Sequence, residues 1–184
     1  MVQMPENNPD LRERVIESRG FLKKLQLMIP ALKEYRKLED IRASDQLLRK
    51  QVFDRLNEAK TKLETIRKTM SDKGDFNNLS SIGNIISQLQ QIAGQVNHAQ
   101  QGAAGISPNI RIDENALNKL YEYDFNFVNS AEQIFSTASD SVNEYSSGTS
   151  SAQAISTKIN PMLEDFKHVW KQRLDSVENI LVTK

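Results

Sequence analysis

Val52, Leu56, Ala59, Leu63, Ile66 and Met70 recur in alternating steps of four and three residues. After the polar break "SDKGDFNN", Leu79, Ile82, Ile86, Leu89, Ala93 and Val96 repeat the same rhythm. A strand turns successive side chains to opposite faces and would scatter these positions, whereas a helix gathers them on one stripe. Two such stripes separated by a short polar turn predict two antiparallel helices sharing an apolar, coiled-coil-like seam. At 1.5 Å per residue the first of them runs roughly 50 Å.

The rest of the chain continues the pattern. Leu117, Tyr121, Asp124 or Phe125, Val128, Ala131, Phe135, Ala138, Val142 and Tyr145 form a third stripe, opened by Asp113 as N-cap with Ile112 placed to staple onto Leu117. Beyond the connector "SSGTSS", Met162 or Leu163, Phe166, Trp170, Leu174, Val177 and Leu181 form a fourth, with Asn160-Pro161 either starting or kinking that helix. Upstream, Asn8-Pro9 reads as a helix start, Leu11, Val15, Leu22, Leu25 and Ile29 keep helical spacing, and Pro30 ends the run. The expected fold is all-α: an elongated antiparallel up-down bundle of about four long helices preceded by a shorter N-terminal helix. The helices are expected at about 11–28, 31–70, 77–101, 113–145 and 152–182, in a single domain over 11–184 after a disordered 1–10.

Composition narrows the function classes. Lys+Arg and Asp+Glu number 24 each, so no net basic charge argues for nucleic acid. The absence of cysteine removes disulfides and thiolate metal ligands. "MVQMPENNPD" has no basic-then-apolar leader, and no window approaches 18 consecutive apolar residues, so a cytoplasmic protein is expected. The zero net charge conceals a division. Residues 1–75 carry 17 Lys/Arg against 13 Asp/Glu, and residues 76–184 carry 7 against 11, so the two halves attract when folded together.

Catalytic motifs are missing. "GAAG" lacks the Lys and Ser/Thr of a phosphate-binding loop, and no nucleophile elbow or dinucleotide fingerprint occurs. His98 and His168 are the two histidines, and Asp165 with His168 makes a single acid-to-His pair at helical spacing, half of one motif where a di-iron bundle needs two pairs and two more carboxylates. No catalytic, metal or cofactor residue is assigned, and no cofactor or small-molecule substrate is inferred.

Two acids do stand out, because each falls where an apolar residue belongs. Asp45 lies in the seam Leu38, Ile41, Asp45, Leu48, Val52, and Asp124 lies between Tyr121 and Val128. A carboxylate in an apolar seam is costly unless paired. Arg49, four residues on, and Arg42, three before, are local cations for Asp45, and the hydroxyls of Tyr35 and Tyr121 are available donors. The expectation is a polar seam network of Asp45, Arg49, Tyr35, Tyr121 and Asp124 that fixes helix register. A second candidate surface is the first helix, where Arg12, Arg14, Arg19, Lys23 and Lys24 accompany Phe21 and Leu22 in the manner of an interfacial helix, diluted by Glu13 and Glu17.

Two stretches carry a family resemblance. "IPALKEYRKLEDIRASDQLLRKQVFDRLNEAKTKL" contains Ile29-Pro30, Tyr35 and Asp45-Gln46-Leu47-Leu48-Arg49, and "IRIDENALNKLYEYD" contains Asp113, Leu120, Tyr121, Tyr123 and Asp124. Together they resemble a prokaryotic family of all-helical proteins with no assigned activity. The family tends to carry arginines and tyrosines before the second stretch, where this chain reads "QQIAGQVNHAQQGAAG". The resemblance implies an all-helical fold and adds no reaction.

The functional expectation is therefore a non-catalytic interaction or scaffold protein, with a protein partner or its own second copy. The alternative is a peripheral membrane or membrane-stress scaffold using the first helix, and a helical metal protein or enzyme comes third. One stretch bears on the choice: residues 76–110 contain no Asp, Glu, Lys or Arg. Its helix is expected to be the most inward or the partner-facing one, with Gly83 and Gly94 admitting a close neighbour.

Overall fold

The computed structural model describes residues 20–30, 32, 38–99 and 114–182. The helices are α1 (residues 20–28), α2 (Leu38–Asp72), α3 (Leu79–His98), α4 (Glu114–Ser146) and α5 (Ala152–Val182), with a 3₁₀ turn at Phe76–Asn78. No strand occurs among the described residues. The fold is an all-α helical bundle.

The two tight turns are built alike. Gly74 at φ 75° follows α2 and Gly148 at φ 76° follows α4, a backbone conformation that penalises any side chain. Beyond each glycine the chain doubles back to donate to the last helical turn, Asp75 N to Met70 O at 2.9 Å and Thr149 N to Glu144 O at 2.9 Å. Both are Schellman endings. Ser151 then caps α5 by accepting from Ala154 N at 3.1 Å. Pro161 lies inside α5, which runs unbroken from Ala152 to Val182, so Asn160-Pro161 does not start that helix.

Side-chain ties fix the directions. Moving up α2, Asp45 shares Arg173 with Asp124, Arg55 pairs with Glu132, and the turn residue Asp75 meets Tyr145. Partner numbers on α4 rise with those on α2, so these two packed helices are parallel. Each is followed by an antiparallel return, α2 by α3 and α4 by α5, and α3 packs beside α5. The bundle is thus up-down in chain order, yet assembled from two hairpins lying side by side in the same sense. The foot is the end where α2 and α4 begin and α3 and α5 end.

The core is wider than a heptad seam. Leu48, Val52, Leu56, Ala59, Leu63, Ile66 and Met70 of α2 are all buried, as the four-three spacing predicts. α3 buries Ile85 and Ile92 beside the predicted Ile82, Ile86, Leu89, Ala93 and Val96, with Leu79 half-buried, and α4 adds Leu120, Phe127 and Ile134 while Leu117, Phe135 and Val142 are half-buried. A bundle helix touches two neighbours, and its apolar arc broadens accordingly. Where the sequence left alternatives, Asp124 and Leu163 point inward while Phe125 and Met162 are half-buried.

Three expectations need correction. Leu32 sits with Pro30 in a 3₁₀ turn, its N–H donating to Ile29 O at 3.0 Å, so the second helix does not begin at 31; its described start is Leu38. α3 stops at His98 rather than 101, because Ala99 turns to φ −54°, ψ 128°. α3 is also no inward helix: Asn84, Ser87, Gln90, Gln91, Gln95 and Asn97 are exposed, and a Cβ on Gly83 or Gly94 would meet nothing within 4 Å. The Asn8-Pro9 start and the Asp113 cap lie outside the described residues.

α1 is docked on the bundle. Leu22, Leu25, Ile29 and Leu32 enter the core, and Phe21 meets Phe125 of α4 at 5.4 Å between ring centres.

Candidate functional site

The foot of the bundle holds the most unusual chemistry in the described residues, a cluster of four charged side chains in a hydrophobic setting. Asp124 is 0% exposed, Arg173 2%, Asp45 7% and Arg49 8%. Arg173 of α5 donates from Nε to Asp124 Oδ1 at 2.6 Å and from Nη2 to Asp45 Oδ1 at 2.7 Å. Arg49 donates from Nε to the other oxygen of Asp45, Oδ2, at 3.0 Å, and from Nη1 to the carbonyl of Ala99 at 2.8 Å. One network therefore joins α2, the end of α3, α4 and α5. Arg49 also places a cation at the negative end of α3, where exposed carbonyls favour it.

The surroundings explain why the guanidinium of Arg173 is tolerated. Its carbon lies 5.3 Å from the Phe127 ring centre and 5.8 Å from that of Trp170, and those two rings stack on each other at 4.8 Å. Arginine is weakly hydrated and stacks on aromatic faces while its edge keeps the carboxylates, so it suits this position better than lysine would. Two aspartates and two arginines balance in charge. Replacing a whole buried ionic network by apolar residues is often neutral or stabilising, whereas removing one member strands the others.

Of the residues expected in the seam network, Asp45, Arg49 and Asp124 are brought together here. Tyr121, one turn before Asp124, is buried in the core. Tyr35 and the side chain of Arg42 lie outside the described residues. Arg173 is absent from the expected network, because Leu174 fits the apolar stripe of α5 and draws the pattern past it. The signal was available: two acids at apolar positions require cations at apolar positions, and Arg173 is three residues from Trp170 and four from Val177. On the other candidate surface, Lys23 is exposed, Lys24 lies 5.6 Å from the Phe21 ring and 5.3 Å from the Phe125 ring, and Phe21 is half-buried. Arg12, Arg14 and Arg19 lie outside the described residues. Asp165, His168 and His98 are exposed, and His168 contacts Gln172 at 3.0 Å. Among the described residues no group of three or more His, Cys, Asp or Glu is placed to hold a metal ion.

A smaller polar contact closes the opposite end. Tyr145 donates from its hydroxyl to Asp75 Oδ2 at 3.2 Å, with Lys73 Nζ 5.2 Å from the ring centre. Burial pushes the Tyr145 phenol above its ordinary value near 10, and the hydrogen bond to the Asp75 carboxylate and its charge act in the same direction. A folded-state pKa raised this way gives stability that is whole below the unfolded value and is lost as pH rises through the folded one. Wild type is therefore expected to lose more stability than Tyr145→Phe as pH rises past about 10, measured as urea midpoints along the pH series. Parallel curves would show that the phenol is not coupled to folding.

No family model, curated protein or solved structure matches the chain. The resemblance carried by residues 29–128 therefore gains no support, and the site has to be interpreted from its own geometry. Among the described residues no helix is long and apolar enough to cross a membrane.

Proposed function

We propose that this protein is a non-catalytic helical interaction module, working in the cytoplasm, that binds a protein partner or a second copy through the outer face of α3. The observation behind this reading is the pairing of an uncharged exposed surface, Asn84, Ser87, Gln90, Gln91 and Gln95, with two glycines whose Cβ positions are open. Interior helical glycines cost about 1 kcal/mol each relative to alanine, and among the described residues nothing uses the space they leave. An approaching helix would meet neither charge repulsion nor side chains at those two points.

The reading makes a two-signed test. Gly83→Ala with Gly94→Ala should raise the melting temperature of the isolated chain, by about 0.5–1 kcal/mol of stability per site, and should weaken association. Association is measured by light scattering of the purified protein and by photo-crosslinking from Gln91 in the native host, with Asp140 of α4 as the control position. A monodisperse monomer, together with no more adduct at Gln91 than at Asp140, would end the proposal.

Contact with an anionic membrane surface is a second reading, favoured by Leu27, which is 74% exposed beside Lys23 and Lys24. Its scale is small. The other apolar residues of α1 are committed to the bundle, leaving one leucine of about 1.5–3 kcal/mol and about 1 kcal/mol per nearby lysine. Flotation with anionic liposomes tests it, and equal recovery of wild type and Leu27→Asp would exclude it.

A further inference from the structure

The two seams between the hairpins are not held alike. Along α2 and α4 there are ties at three heights. At the foot, Arg173 bridges Asp45 and Asp124. Midway, Arg55 Nε lies 2.8 Å from Glu132 Oε2, an ion pair rather than a hydrogen bond, while its guanidinium carbon sits 4.8 Å from the Phe135 ring centre. At the far end, Tyr145 reaches Asp75. Between α3 and α5, among the described residues, one side-chain hydrogen bond spans the seam, from Lys167 Nζ to Gln88 Oε1 at 3.5 Å. That is the outer limit for such a bond, and the same ammonium has a closer partner in Glu164 Oε1 at 2.6 Å.

The α5 side of this seam is weakened further. Asn160 lies seven residues before Lys167 and so on the same helical stripe of α5. Its amide nitrogen donates to Ser156 Oγ at 3.0 Å, while its buried Oδ1 has no partner. Pro161 has no N–H to offer the carbonyl of Thr157, which removes one rung of the helix at the same level. On the α3 side Gly83 and Gly94 lower the helix's own stability.

We infer that the bundle opens along the α3–α5 seam, the two hairpins swinging apart about α2 and α4 as a closed spine. The foot stays latched, because Arg173 holds α5 to Asp45 of α2 and Arg49 holds the end of α3. The opening is centred between the foot and the Tyr145–Asp75 contact, at the level of Pro161 in α5. The movement uncovers Ile85 and Ile92 of α3 and Leu163 of α5, all buried when the seam is shut. This inference stands apart from the proposed use of α3's outer face, since opening concerns its inner face.

Hydrogen exchange on the full chain under native conditions tests it. Amides of α3 and of the first half of α5 should exchange through a common opening of lower free energy and weaker denaturant dependence than those of α2 and α4. The chain has no cysteine, so two can be introduced cleanly. A short bis-maleimide joining Gln88→Cys to Lys167→Cys should slow that opening by about tenfold or more, while one joining Asp54→Cys to Glu132→Cys should leave it unchanged. A single exchange rate for all four long helices would overturn the inference, and so would equal slowing by both crosslinks.

Discussion

Arg173→Met is expected to be among the most damaging single substitutions in this chain, costing about 3–5 kcal/mol and lowering the melting temperature by roughly 10–15 °C. The methionine fills similar volume, so the loss does not come from a cavity. It comes from Asp124, fully buried, and Asp45, nearly so, which lose the cation they share at 2.6 and 2.7 Å. Removing one member of a buried ionic group strands the others, whereas removing all of them strands none. Asp45→Leu, Arg49→Met, Asp124→Leu and Arg173→Met combined should therefore recover most of the loss. What the quadruple variant should lose is uniqueness of packing, visible as broadened amide resonances. If the single substitution melted within a few degrees of wild type, the network would have no part in holding the hairpins together.

Phe127→Ala is the second large effect expected, again about 3–5 kcal/mol, this time through a cavity. Phe127 is fully buried, stacks on Trp170 at 4.8 Å and lies 5.5 Å from Phe166. It also forms the floor under Arg173. Its loss and that of Arg173 should not add: residues in contact typically couple by 0.5–3 kcal/mol, as a double-mutant cycle with Arg173→Met would record. Trp170, the sole tryptophan, reports directly on this corner through its emission. Strict additivity with unchanged Trp170 fluorescence would mean that the aromatic and ionic layers act independently.

Much of the fold was legible in the sequence, for reasons that can be named. From Leu48 to Met70 the α2 stripe obeys a single period without interruption, and each of its apolar positions there is buried. Gly74 and Gly148, each just past a run of helical spacing, marked the turns. What the pattern could not supply was the pairing of helices that are distant in sequence. Asp45 and Asp124 were conspicuous because each breaks an apolar stripe, but Arg173 was hidden by Leu174, which fits the stripe nearly as well. Arg49, one helical turn from Asp45, satisfies it locally, and a local partner masks the need for a remote one. For α3 the absence of charge suggested burial, yet burial follows the apolar stripe, and its Gln and Asn residues lie on the opposite side.

The parallel placement of α2 against α4 has a consequence for how the molecule forms. Each hairpin closes over a short turn, but the contacts joining the hairpins are far apart in the chain, 70 residues for Asp75–Tyr145 and 128 for Asp45–Arg173. Loop closure makes such contacts late ones. Two hairpins should collapse separately and dock afterwards, with the charged latch at the foot among the last contacts to form. A substitution in that latch should then speed unfolding far more than it slows folding. The lifetime of the folded state, more than the time taken to reach it, is what Arg173 sets.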